Sequence, residues 1–210
     1  TRRHYYGNSQ GAIMGGAYAA IAPYFETAVL GVGGGPYHLL LTRSRDFDPF
    51  FMVFKTMYPD PKHISLWLGL IQTLWDSAEG SGYVNVIQDG LMPGSTPTRV
   101  LQQVGIGDAQ VTTYAAHIMA RGQDAKLIGT PVRDVYGLEV ATGPHAGPAL
   151  VEFDYGLEVP STNTPPQGED PHENPRRERA GQDQIDHFFR TGEVVDFCEG
   201  PCQDLERYAR

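Results

Sequence analysis

The stretch that decides the fold is Arg3-His4-Tyr5-Tyr6, followed by Gly7-Asn8-Ser9-Gln10-Gly11 and then Ala12. The first four residues suit a strand, and Gly7-x-Ser9-x-Gly11 makes a tight turn. From Ala12 to Ala22 small and apolar residues run at helical density, up to Pro23. A serine between strand and helix at this spacing sits on a strained turn whose backbone crowds its neighbours. Glycine two positions to either side removes the side chains that would clash. The serine then projects at the C-terminal edge of the sheet, where open α/β sheets bind ligands, and the following helix aims its positive end at it. Ser9 is thus the candidate nucleophile, and the Gln10 backbone N–H a candidate donor to an oxyanion. The competing reading is a plain glycine-rich turn, since three fixed residues in five recur by chance.

Working outward, Thr27 to Val32 is a short apolar run that suits a buried parallel strand, ended by Gly33-Gly34-Gly35-Pro36. That glycine run lacks the Lys-Ser/Thr and the spacing of a phosphate-binding P-loop. Arg99 to Ile106 reads as a second buried strand, ending at Gly107-Asp108, with a helix from about Thr112 to Arg121. Ala149 to Asp154 is a third. A Pro-rich polar loop, Pro160 to Pro175, leads to a last helix from Arg179 to Thr191, closed by Gly192. Strands alternating with helices predict an α/β fold, a mostly parallel sheet flanked by helices.

Residues 36–92 are longer than a simple crossover. Asp48 and Pro49 make an N-cap and first-turn pair for a helix carrying Phe50, Phe51, Phe54, Met57 and Tyr58. A second helix, about His63 to Asp76, has Ile64, Trp67, Leu68, Ile71 and Trp75 on one face. As a cap or lid, this insertion would let the Phe50, Phe51, Phe54 and Met57 stripe and the helix of Trp67 and Trp75 line an apolar acyl pocket. As an ordinary helix pair, it would pack them against the sheet.

The bulk numbers bound these readings. With 210 residues, 40% hydrophobic and 20% charged, the chain suits one soluble globular domain. A net charge of −9 repels phosphate backbones, so nucleic acid is not an expected partner. No apolar run is long enough to span a bilayer. The 2 cysteines, Cys198 and Cys202, flank a Gly-Pro turn in Cys-Glu-Gly-Pro-Cys. They stand either as a disulfide, which would imply export, or as two free thiols on a loose tail; a metal site would need further ligands.

Tyr6-Gly7-Asn8-Ser9-Gln10-Gly11-Ala12, the helix after it, and Ala28-Val29-Leu30-Gly31-Val32 together resemble the centre of the α/β-hydrolase-fold serine esterases and lipases. The likeness runs on through Gly107-Asp108 to the last helix. It implies the chain order nucleophile, acid, histidine, with the acid just after a strand. Asp108 fits that place, and capping the next helix is its alternative role. Of 7 histidines, only His172, in Asp170-Pro171-His172-Glu173-Asn174-Pro175, lies after the last core strand and before the last helix. His4, His38, His63, His117, His145 and His187 fall elsewhere. The implied chemistry is acyl transfer to Ser9 without cofactor or metal, on a small-molecule acyl substrate. The alternative is a non-catalytic binding or structural module on the same fold. The resemblance also implies that residues 1–197 are the C-terminal part of one domain, with 198–210 a tail. The strands before the turn and the second oxyanion donor would then come from a further N-terminal segment or a companion chain, and residues 2–6 would present an open sheet edge.

Overall fold

The computed structural model describes residues 3–209, so Thr1, Arg2 and Arg210 of the expected domain, edge and tail lie outside the described residues. Six strands form one all-parallel sheet: β1 (His4–Asn8), β2 (Thr27–Gly31), β3 (Arg99–Gly105), β4 (Lys126–Ile128), β5 (Val140–Ala141) and β6 (Ala149–Phe153), in the order β1-β2-β3-β6-β4-β5. All five residues of β2 and of β6 are buried, as expected of parallel strands covered on both faces.

The helices are α1 (Gln10–Ile21), α2 (Tyr37–Leu40), α3 (Asp48–Met57), α4 (Pro61–Trp75), α5 (Thr113–Gly122) and α6 (Arg179–Thr191). Side-chain alternation along the strands divides the core. Ala28, Leu30 and Val100 pack with Ala12, Ala19, Ala20 of α1 and Met119 of α5 on one face. Val29, Leu101, Val151 and Phe153 pack with Phe188 of α6 on the other. Gly34 follows from this layering: a Cβ there would meet Ala115 of α5 at 2.6 Å, so the glycine run after β2 serves close packing of the helices.

Several boundaries differ from the sequence reading. β4 and β5 were not expected; with three and two residues they carry too few positions for a periodicity to register. Asp48 lies inside the first turn of α3, whose cap position is Phe47; the helix of residues 61–75 is the one capped by aspartate, Asp60 accepting from the Lys62 amide at 2.9 Å. The helix pair α3/α4 does not lie on the sheet. α3 buries no residue, and α4 buries only Ile64, Leu68 and Gln72. Among the described residues, no helix is long and apolar enough to cross a membrane.

Candidate active site

Three strand ends build the site. In register, Asn8, Gly31 and Gln103 are partners across β1, β2 and β3, so the residues that follow all emerge at one edge of the sheet. Ser9 continues the ladder by donating its N–H to the Gly31 carbonyl at 2.9 Å, then turns with φ 57° and ψ −124°, a conformation costly for a residue with a Cβ. Its carbonyl is already the first acceptor of α1, taking the Ala12 and Ile13 amides at 2.8 and 3.0 Å. The Ser9 side chain therefore stands between a finished strand and a started helix, with the unpaired first-turn amides of α1 beside it. Gly7 is required here: a Cβ would collide with the Gly11 carbonyl oxygen and approach the Tyr5 hydroxyl at 2.7 Å. Gly11 is not; a Cβ there would meet only that hydroxyl, at 3.9 Å. The expected symmetry of the two glycines fails because Gly11 is already inside the helix, with its side-chain position turned toward space.

Asp108 and His172 are brought together. His172 Nδ1 and Asp108 Oδ2 lie 2.7 Å apart, and the two residues are 3% and 2% exposed. The other carboxylate oxygen, Oδ1, accepts the amides of Gln110 and Val111, each at 2.8 Å. Asp108 is therefore not the cap of α5, which is Thr112; it holds its own loop with one oxygen and the imidazole with the other. Burial pushes the Asp108 carboxyl up, against the pull of the His172 hydrogen bond and the two amides. Burial by itself would lower the His172 pKa. The hydrogen bond and charge of Asp108, with the charges of Asp170 and Glu173 behind them, overcome it and raise the imidazole above its usual value.

The histidine loop reaches back over the sheet edge. Pro171 sits over the end of β3, 3.4 Å from where a Gly105 Cβ would stand, and the charges of Glu173 and Arg176 act on Tyr6 of β1. Ser9 Oγ makes no hydrogen bond to the pair among the described residues; Asp108 and His172 are joined, and Ser9 shares their edge of the sheet. His117 pairs with Glu152 at 2.8 Å, His4 with Thr27 at 2.7 Å and His38 with Gln72. His145 pairs with Val194 before β6, at the opposite end of that strand, and His187 lies within α6. Neither family models, curated proteins nor solved structures give a match to this chain. What the site can do follows from its own geometry.

An apolar cleft of about 460 Å³ adjoins the serine turn, lined by Gln10, Met14, Tyr37, Leu41, Phe47, Phe50, Trp75 and Ala78. Tyr37 donates its hydroxyl to Gln10 Oε1 at 2.7 Å, which ties the insertion to the turn. Of the expected lining residues, Phe50 and Trp75, at the end of α4, are on this cleft. Phe51 lies under Lys55, and Phe54 and Trp67 both pack on Tyr58. Phe47 and Tyr37 line the cleft unforeseen, because the chain between residues 36 and 48 folds back as short turns with no periodicity to read. A second, polar cleft of about 320 Å³ lies behind Asp108, lined among others by Arg43, Tyr114, His117 and Arg133. Cys198 and Cys202 form a disulfide; Asp196 lies near them, but both sulfurs are engaged with one another and not available as thiolate ligands.

Proposed function

We propose that this chain is a serine hydrolase of the α/β-hydrolase type that cleaves esters or related acyl bonds. The observation that carries the reading is the buried His172–Asp108 pair, held at the sheet edge where Ser9 occupies its strained turn. In this mechanism Ser9 Oγ attacks the acyl carbonyl while His172 Nε2 takes its proton. Asp108 fixes the tautomer that carries hydrogen on Nδ1 and stabilises the imidazolium. The Gln10 N–H, at the head of α1, donates to the oxyanion. His172 returns the proton to the leaving group, an acyl-enzyme remains on Ser9, and water, deprotonated by His172, releases the acid. A positioned base contributes about 10²–10⁴-fold and an oxyanion donor about 10²–10³-fold. The apolar cleft beside Gln10 suits an uncharged aliphatic or aromatic acyl group.

The absence of a Ser9–His172 hydrogen bond favours one competing reading, a binding module on the same fold. A fluorophosphonate probe separates the two. Labelling that maps to Ser9 and disappears in Ser9→Ala and His172→Ala supports the hydrolase; a folded chain that is never labelled overturns it.

A further inference from the structure

His172 itself lies outside any strand or helix, three residues before a single 3-10 turn (Pro175–Arg177), yet a general base must be held to a fraction of an ångström. Two side chains brace it from opposite sides. Asp170 Oδ1 accepts the amides of Ala109 and of His172, both at 3.1 Å, and Oδ2 accepts from Gln110 Nε2 at 2.9 Å. One carboxylate thus joins the loop of the acid to the loop of the base. On the far side, Asn174 Nδ2 donates to the Tyr208 hydroxyl at 2.7 Å, and that hydroxyl donates to the Asp170 carbonyl at 3.0 Å. Tyr208 is itself anchored. The Asp154 amide donates to the Cys202 carbonyl and the Asp204 amide to the Asp154 carbonyl, each at 2.9 Å, which splices the tail to the end of β6. Arg207 pairs with Glu178 at 2.6 Å just ahead of α6.

We propose that Asp170 and Tyr208 are positioning residues for His172, Asp170 by coupling its loop to that of Asp108 and Tyr208 by fastening it to the C-terminal tail. The proposal rests on the serine-hydrolase reading. The two braces differ in kind. Asp170 is charged, and the groups that face His172 are Asp108, Asp170 and Glu173, the last paired with Arg176 and Arg177. Removing the Asp170 charge therefore changes both the position and the proton affinity of the imidazole. Tyr208 brings no charge to the loop, and its ring packs on Tyr155, so removing only its hydroxyl should loosen the loop and leave the proton affinity alone.

The test uses the 210-residue chain with Asp170→Asn and Tyr208→Phe, both close in shape to the parent, and checks folding by thermal melting. The His172 ring titration is followed by NMR, amide exchange is read at residues 172–174, and the rate of Ser9 phosphonylation is measured across pH. Asp170→Asn should shift the His172 midpoint and the acidic limb of the labelling rate downward together. Tyr208→Phe should leave the midpoint in place, speed exchange in the loop and slow labelling, each by about ten- to a hundredfold, for the two hydrogen bonds the hydroxyl makes. An unshifted midpoint in Asp170→Asn removes Asp170 from the proposal. Exchange equal to wild type in Tyr208→Phe removes Tyr208. A wild-type chain that is never labelled would refute the hydrolase reading, while the titration and exchange would still decide whether the two residues position His172.

Discussion

At the residue scale the turn around Ser9 carries a strain that the proposed nucleophile role requires and stability does not. A φ of 57° with ψ −124° suits glycine, so Ser9→Gly should stabilise the fold by about 1–3 kcal/mol while abolishing phosphonate labelling. Urea unfolding beside the labelling assay checks this; a destabilised Ser9→Gly would show that the turn is not strained. The two flanking glycines should separate. Gly7→Ala drives a methyl into the Gly11 carbonyl and should cost about 2–4 kcal/mol, whereas Gly11→Ala, inside α1, should be neutral or stabilise by up to about 1 kcal/mol. The histidine gives a pH prediction. Its pKa is raised, so the neutral base appears only above the ordinary value of 6.5, and kcat/KM for an ester should rise with a midpoint above it. Asp108→Asn should move that midpoint down and reduce the rate by about 10³–10⁴-fold. The sign for stability is opposite: a raised folded-state pKa stabilises fully below the unfolded value and fades as pH rises through the folded one. The proposed activity should therefore rise over the same window in which that contribution is lost.

At the element scale β6 is the best internal test of the sheet. Glu152 points from this buried strand to Arg133 Nη2 at 2.6 Å and to His117 at 2.8 Å. Burial would raise its pKa, but His117 and Arg133 together hold it below the usual carboxylate value. A lowered folded-state pKa contributes stability above the unfolded value, which is lost as pH falls through the folded one. Glu152→Gln should therefore lower stability by about 2–4 kcal/mol at pH 7, and the gap to wild type should close in acid; guanidinium unfolding at both pH values measures it. The elements most legible from sequence were those with strong local punctuation. α6 runs between the residues expected, because Gly192 closes it in the left-handed conformation at φ 76°. β2 was legible as a continuous apolar run. β4 and β5 were not, since their strand conformation comes from pairing with β6 and with each other.

For the whole molecule, the notable surface is that of the α3/α4 pair. Phe50, Met52, Val53 and Met57 of α3 and Leu66, Leu70 and Leu74 of α4 are all more than half exposed. An apolar face of this kind favours association. Sedimentation velocity over a range of concentrations should show self-association, and Val53→Glu with Leu70→Glu should suppress it with little change in melting temperature, since neither side chain is buried. A chain that stays monomeric throughout would contradict this. Among the described residues, β1 pairs only with β2, at one edge of the sheet.

The sequence by itself determined the turn at Ser9, the alternation of strand and helix, and the places of Asp108 and His172 in chain order. The first two depend on neighbours within a few residues, through glycine tolerance and apolar runs; the places of Asp108 and His172 are what the resemblance to α/β-hydrolases implies for loops that follow strand ends. Only the tertiary structure decided which groups meet. The 64-residue separation of Asp108 and His172 closes to one 2.7 Å contact because β3 and β6 are adjacent and parallel, a pairing no local pattern encodes. The same holds for Asp170 and Tyr208, whose roles depend on a tail folding back across β6, and for Phe50 lining the cleft while Phe51 and Phe54 do not. Local signals specify what each segment becomes; long-range burial and hydrogen bonding specify what it touches.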